Sequence, residues 1–377
     1  MKTNIYYAIT IICISSFLIL GCKNDKDISE TPTLINSEVV ADLETPPVEA
    51  TSDMDAADDP AIWIHPDDPT KSLIIATNKK LGIAVYNLQG DELYFYPAGD
   101  VNNIDVRYGF EFGNGEKGDI AACSERVENK ILFYRINKED GSLTEIHGDR
   151  FMSDIPEVYG FSLYHSPNSG KFYAFMNGKS GIIEQWELSP FEDGELTGTI
   201  VATLNVDTQP EGMVTDDEMG HLYVGEEELG IWKFNAEPSE VNEPVFISNS
   251  DTSNTFISYD VEGLTIYYAA NNKGYLIASS QGNNSYAIFE RGGDNEYLGS
   301  FSIVDGIIDG VQETDGIDVI NLNLGGQFSK GLFIAQDGEN FDGGSILPQN
   351  FKVVSWKKIA NLFDPPLLTD NTYNISK

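Results

Sequence analysis

A short apolar and aromatic strand returns along this chain at nearly regular intervals, and it limits the fold more than any other feature. It reads Ile83-Ala84-Val85-Tyr86-Asn87-Leu88, then Ile131-Leu132-Phe133-Tyr134-Arg135-Ile136, then Ile183-Glu184-Gln185-Trp186-Glu187-Leu188. Shorter versions are Ile231-Trp232-Lys233-Phe234, Ala287-Ile288-Phe289-Glu290 and Val353-Val354-Ser355-Trp356. The aromatics at 86, 134, 186, 232, 289 and 356 are separated by 48, 52, 46, 57 and 67 residues. A second strand precedes each one, over 72–77, 120–123, 171–176, 221–224, 274–279 and 331–335. The two are joined by turns rich in Gly, Asn, Lys or Glu, which is a hairpin pattern. No segment carries a long helical period. Repeats of this size, with several short strands in each, are those of propeller blades. The expectation is an all-β, six-bladed β-propeller with a central channel, its sites in the loops at the channel ends. A β-sandwich array would also use paired strands, but regular spacing through one continuous body favours a closed ring.

The first residues read as an address. Lys2 precedes a mostly apolar run from Ile5 to Leu20, and Ile19-Leu20-Gly21-Cys22 resembles the lipobox of bacterial lipoproteins, cut before the Cys that carries the lipid. The run is short for a membrane span. The expected organisation is a signal peptide over 1–21, lipidation at Cys22, a flexible tether over 22–52, the propeller over 53–362 and a tail over 363–377. Lys23 after the Cys suggests outer-membrane or surface display. An extracytoplasmic monomer that touches the membrane only through its lipid is expected. Cys123 is the one cysteine of the body, so no disulfide framework holds it and a buried thiol is the plain reading.

Charge narrows the function. Sixty acidic residues against 23 basic ones give a net charge of −37, which makes nucleic acid an improbable partner. Much of this is solvated surface, but some carboxylates sit inside strand-like runs. Asp58 and Asp59 lead directly into Pro60-Ala61-Ile62-Trp63, and the strand carries them toward a buried position. Glu211-Gly212, Glu262-Gly263, Asp309-Gly310, Asp315-Gly316 and Asp337-Gly338-Glu339-Asn340 recur in successive blades, and Glu226-Glu227-Glu228 follows a strand. Hard oxygen donors without nearby His or Cys suit Ca²⁺ rather than Zn²⁺, and Gly permits a sharp turn that aims a carboxylate. The few basic residues lie just past comparable strands: Lys79 and Lys80, Arg126, and Lys179. Tyr159 is either core or a hydroxyl donor. No P-loop, Gly-x-Ser-x-Gly elbow or metal-spaced His pair competes.

Taken together, Asp58-Asp59-Pro60-Ala61-Ile62-Trp63, Thr77-Asn78-Lys79-Lys80, Asn102 to Tyr108, Glu157 to Tyr164, Glu211-Gly212-Met213, Glu262 to Tyr268, Ser279 to Asn283, Thr314 to Asp318 and Ala335 to Asn340 resemble the β-propeller phytases, in family order over about residues 50–362. The resemblance implies a calcium-dependent phosphoric monoester hydrolase acting on phytate or calcium phytate through direct attack of a metal-bridging water. It implies mouth calciums held by Asp58, Glu211, Glu226 or Glu227, Glu262 and Asp315. It implies structural ligands at Asp59, the carbonyls of Pro60 and Ile104, Asp309 and the Asp337 to Asn340 loop with Glu339. Lys79, Arg126 and Tyr159 would contact the scissile phosphate, and Lys80 and Lys179 a neighbouring one. Glu125 replaces the family's small polar residue before Arg126, and the glutamate triplet leaves the mouth Glu open by one position. A non-enzymatic surface propeller, or a calcium-dependent lactonase or esterase with a single central metal, would need little of the Lys and Arg set.

Overall fold

The computed structural model describes Met1 and residues 31–370, apart from 51–53, 114, 147–150, 193–194 and 239–241. The lipobox, with Cys22, lies outside the described residues. Among the described residues, six antiparallel blades follow one another over 57–97, 101–145, 158–205, 210–246, 261–303 and 317–355. Each starts at the channel with an inner strand: Ala57–Trp63, Val101–Glu111, Val158–His165, Pro210–Asp216, Val261–Ala269 and Ile317–Ile320. Each inner strand packs on the next, and the sixth returns to the first. The strand pairs expected from the sequence are the second and third strands of their blades.

The apolar residues form six cores rather than one, each between two neighbouring blades. Trp63 and Leu73 of blade 1 meet Val101 and Leu132 of blade 2, and Phe133 of blade 2 meets Phe161 and Met176 of blade 3. Tyr173 and Phe175 then face Met213 and Leu222, Tyr223 faces Leu264, Tyr267 faces Phe333, and Leu332 with Phe351 faces Ile62 and Ile74. Every blade except its outermost strand is therefore covered on both faces. This explains why the strands read as nearly unbroken apolar and aromatic runs instead of alternating ones. Cys123 is a free thiol within the core between blades 1 and 2, and burial pushes its pKa up.

The ring is closed by the segment expected to be a tether. Leu43–Glu44 is the outermost strand of blade 6, paired through Lys352↔Glu44 and Val353↔Leu43. Glu38–Val39 adds a parallel strand to blade 5, and Thr33–Leu34 pairs with Phe363–Asp364. The expectation of a flexible tether over 22–52 is thus corrected for residues 33–48. Their polar composition hid a role that rests on backbone pairing. The tail from 363 is likewise docked as far as residue 370: Leu367 is buried, Trp356 donates to the Leu368 carbonyl at 2.8 Å, and Ala270 N–H donates to Asp370 at 2.9 Å.

A sheet left without its outermost strand exposes a row of unpaired backbone groups. A chain starting at residue 51 should therefore melt at least about 5 °C below one starting at residue 31, which corresponds to a loss of roughly 3–4 kcal/mol in a domain of this size. Calorimetry of the two truncations checks this, and equal melting points would rule out the closure role.

Candidate active site at the channel mouth

Five of the inner strands share one irregularity. The register slips between Ala57 and Pro60, Val101 and Ile104, Val158 and Phe161, Pro210 and Met213, and Val261 and Leu264. Two residues of each strand leave the ladder there. The first of the two, with its counterpart in blade 6, forms an inner ring at the mouth: Asp58, Asn102, Tyr159, Glu211, Glu262 and Asp315. The second is Asp59, Asn103, Gly160, Gly212, Gly263 and Gly316 in turn.

The acidic-Gly pairs were expected to mark sharp turns, and the structure gives another reason for them. None of these four glycines has a positive φ. A Cβ on Gly160 would lie 1.9 Å from the Glu211 carbonyl, and one on Gly212 would lie 2.1 Å from the Glu262 carbonyl. The next blade's backbone occupies the space a side chain would need. Glycine lets the blades close on each other at the neck, and the residue before it is held in the mouth.

An outer ring surrounds the first. The residue after each second strand donates its N–H to the segment entering the inner strand: Lys79 to Ala56, Arg126 to Asp100, Lys179 to Glu157, Glu227 to Gln209, Gln281 to Asp260 and Gly338 to Gln312. The six positions are structurally equivalent. Cations occupy the outer ring on blades 1 to 3. Carboxylates occupy the inner ring on blades 4, 5, 6 and 1, where Glu227 adds one in the outer ring. Where the inner ring is uncharged, at Asn102 and Tyr159, the outer ring is basic.

The contacts follow this division. Lys79 Nζ lies 2.7 Å from Asp55, 2.8 Å from Asp315 and 3.7 Å from Asp58. Burial works against its ammonium, but Asp315 and Asp58 outweigh burial and hold its pKa above the ordinary lysine range. Asp55 received no role of its own from the sequence, although it stands in the same run of aspartates as Asp58. The Tyr159 ring has Lys179 Nζ 4.4 Å from its centre and the Arg126 guanidinium carbon 5.4 Å from it, so two cations share one aromatic face system. Burial, then the carboxylates of Glu211, Glu262, Asp58 and Asp315, keep the Tyr159 hydroxyl protonated and able to donate. Lys80 is half-buried beside Lys79, its N–H donating to Asn78 at 3.2 Å.

Carboxylate oxygens of Glu211, Glu227 and Glu262 lie within 4.8 Å of one another and could hold a metal ion. Burial pushes the Glu227 carboxyl up to about 7, with Glu211 and Asp260 adding to it against the Gln209 hydrogen bond. Asp315 is pushed up to about 6 by burial, in opposition to Lys79. Asp58 and Glu262 are raised well above the carboxylate range, again chiefly by burial. Asp58 Oδ2 and Glu262 Oε2 are buried without a hydrogen-bond partner. Crowded, partly unsatisfied carboxylates of this kind are a cation's donor set.

The structure decides between the two glutamates. Glu226 is fully buried and accepts from Thr208 N at 2.5 Å, Thr208 Oγ1 at 2.7 Å and Trp232 Nε1 at 2.6 Å. Its inclusion among the mouth ligands is corrected: these three bonds hold it within its own blade, whereas Glu227, the residue after the strand, lies with Glu211 and Glu262.

The remaining expected ligands lie in two other places. Below the neck, a small cavity of about 50 Å³ is lined by Asp59, Pro60, Ile104, Asp105 and Asp318 among others. Asp59 there accepts from the Ile104 N–H at 3.0 Å, which ties blade 1 to blade 2. At the rim, Asp309 and Asp337 flank the fully buried Lys352, whose Nζ lies 2.8 and 3.0 Å from them and 2.8 Å from Glu44. Asn340 Oδ1 accepts from the same ammonium at 3.2 Å, whereas Glu339 is exposed. Lys352 was missed, and a lysine inside the apolar run Phe351 to Val354 was the available signal.

A six-bladed propeller whose mouth sets buried carboxylates against an arc of cations is built to handle an anionic substrate together with a metal. The phytase family profile matches residues 8–377, and the chain belongs to that family. It is 51% identical over 328 residues to the 3-phytase of Bacillus subtilis strain 168, covering 86% of this chain and 85% of that protein. Two solved structures share the fold at low identity. An auxiliary nutrient binding protein from Bacteroides thetaiotaomicron is 11% identical with a TM-score of 0.50, over 86% of this chain and 76% of that one. A luciferin-regenerating enzyme is 10% identical with a TM-score of 0.50, over 80% and 91%.

Glu226→Gln should destabilise the fold by about 2–3 kcal/mol, because an amide NH₂ would be turned toward buried donors. Glu227→Gln should leave the melting temperature of the metal-free protein unchanged or higher, because it removes one of three crowded charges. Thermal melts in the presence of chelator check both, and the reverse order would exchange the two assignments.

Proposed function

We propose that this protein removes phosphate from phytate, myo-inositol hexakisphosphate, in a calcium-dependent hydrolysis with no covalent enzyme intermediate. The observation that carries the reading is the division of the mouth into a carboxylate arc and a cation arc on equivalent positions of the blades. The 51% identical 3-phytase supports the substrate. Asp58, Glu211, Glu227, Glu262 and Asp315 would hold the mouth calcium ions. Asp59 with the Pro60 and Ile104 carbonyls, and Asp309 with Asp337 and Asn340, would hold structural ones. The oxygen-only donor set and the unpartnered oxygens of Asp58 and Glu262 suit a hard cation.

Calcium, when bound, supplies charge neutralisation at the phosphate oxygens and acidifies a water. The chain's own groups supply the rest. Lys79 and Arg126 stabilise the negative charge that develops on the transferring phosphoryl group, and Tyr159 donates a hydrogen bond to it. Lys179 and Lys80 orient a neighbouring phosphate, which fixes the angle at which the scissile one is presented. A chain of net charge −37 repels a polyphosphate, and the cation arc with bound calcium reverses that sign locally. A non-catalytic or lactonase propeller would have no use for cations on three successive blades.

Phosphate release from calcium phytate, with a lactone and a simple phosphomonoester as controls, tests the reading. Lys79→Met or Arg126→Met should lower kcat by about 100-fold or more, in the range of a lost transition-state donor. A chelated protein that retains full activity would sink the proposal.

The pH dependence has a definite sign. Asp315 at about 6 and Glu227 at about 7 lie above the ordinary values of 3.8 and 4.5. Stability linked to them is fully present below their unfolded values and is lost as pH rises through the folded ones. Without metal, the melting temperature should therefore fall between about pH 5 and pH 8, and added calcium should raise it more at the higher pH. A calcium effect of equal size at both pH values would refute the ligand assignment.

We also infer lipid anchoring at Cys22 and display outside the cytoplasm, on the lipobox Ile19 to Cys22. Cys22→Ser should abolish incorporation of labelled palmitate in a bacterial host. Continued labelling would exclude this site.

A further inference from the structure

Carboxylates gathered for a cation must be aimed, or they turn away from one another. A lysine or arginine partner aims a carboxylate but cancels its charge. Three mouth carboxylates are held by neutral side-chain amides, and of these only Asp315 also meets an ammonium, that of Lys79 at 2.8 Å on its other oxygen. Glu211 Oε1 accepts from Asn102 Nδ2 at 2.9 Å, Glu227 Oε1 from Gln209 Nε2 at 2.5 Å, and Asp315 Oδ1 from Gln281 Nε2 at 2.9 Å. An ionised carboxylate only accepts, so in each pair the amide nitrogen must face it. For Asn102 the other side agrees, because its Oδ1 accepts from Arg126 Nη1 at 3.1 Å and a guanidinium only donates.

The positions are systematic. Asn102 is the inner-ring residue of blade 2, and Gln281 is the outer-ring residue of blade 5. Gln209 supplies the carbonyl that accepts the Glu227 N–H, so it grips Glu227 by both main chain and side chain. Asn102 is fully buried, and Gln209 and Gln281 are half-buried. Two of the three bonds join different blades, which fixes each carboxylate against a frame other than its own.

We propose that Asn102, Gln209 and Gln281 are positioning residues that orient Glu211, Glu227 and Asp315 for divalent-cation binding without themselves adding positive charge beside those carboxylates. This rests on the calcium-dependent reading above. Asn102 has a second task. Its amide links Glu211 to Arg126, so it couples the metal half of the mouth to the phosphate half.

The test uses Gln209→Met and Gln281→Met, which keep side-chain length and remove the donor, and Asn102→Leu. Calcium affinity is measured by calorimetry on the full-length protein, beside phytate KM, kcat and melting temperature. Each glutamine variant should bind calcium about 10- to 100-fold more weakly, the scale of one hydrogen bond to a charged group. Its activity should recover at saturating calcium, with phytate KM within about twofold of wild type and the melting temperature nearly unchanged. Asn102→Leu should weaken calcium and also raise phytate KM. In an Asp315→Asn background, Gln281→Met should have little further effect on calcium, because it acts through Asp315. Unchanged calcium affinity in both glutamine variants, or additive effects of Gln281→Met and Asp315→Asn, would overturn the proposal. A wild-type protein that binds no calcium would remove the reading on which it rests, and that failure is visible in the wild-type titration alone.

Discussion

The narrowness of the channel neck is the constraint on which the rest of the molecule depends. Six sheets can close into a ring of this size only if their inner strands approach until the backbone of one meets the backbone of the next. At Gly160 and Gly212 that approach leaves no room for a Cβ. The slipped register at the same point forces two residues out of each ladder. One becomes the close contact, and the other is displayed at the mouth. The functional ring is therefore a by-product of closure: the site exists because the neck must be tight.

Closure also dictates how the electrostatics are arranged. A ring offers equivalent positions, and filling them all with one charge would be ruinous: two unit charges about 4 Å apart repel by roughly 4 kcal/mol at an effective dielectric near 20. The protein puts carboxylates on one arc and cations on the complementary one. Blade 1 is the single place where both occur, at Asp58 and Lys79, and the structure joins them with Asp315 and Asp55 through the Lys79 ammonium. Lys352 solves the same problem at the rim between Asp309 and Asp337. In both places an internal cation holds acids together that would otherwise drive the blades apart. Such pairs specify geometry more than they stabilise the fold, because desolvation offsets most of their attraction.

The blades were legible in the sequence because each is covered on both faces by its neighbours. That makes strand runs such as Ile131 to Ile136 and Ile83 to Leu88 stand out from the turns between them. The mouth residues were legible for a different reason: a charge beside glycine inside an apolar strand has no surface explanation. The segment over 33–48 was opaque because a strand that closes a sheet edge contributes hydrogen bonds rather than a hydrophobic pattern. Glu226 and Glu227 could not be separated by composition, since only the point at which the strand ends says which of them stays inside the blade and which follows it into the mouth. Asn102 and Gln281 lie within stretches that resemble the family, yet neither they nor Gln209 received a role, because an uncharged amide carries no marker of function until its partners are seen.

These amides bear on how a propeller acquires a metal site at all. The scaffold supplies equivalent positions, and a carboxylate placed there is buried and raised in pKa, as Glu262 and Asp58 are. Left alone, such a group protonates and is useless to a cation. A neighbouring cation keeps it ionised but competes for the same charge. A neighbouring amide stabilises the ionised form and fixes its direction without competing, although it does less to lower the pKa. At Glu211 and Glu227 the mouth uses amides, and at Asp315 an amide takes one oxygen and the Lys79 ammonium the other, where the carboxylate arc meets the cation arc. That choice separates two binding tasks within one ring of backbone.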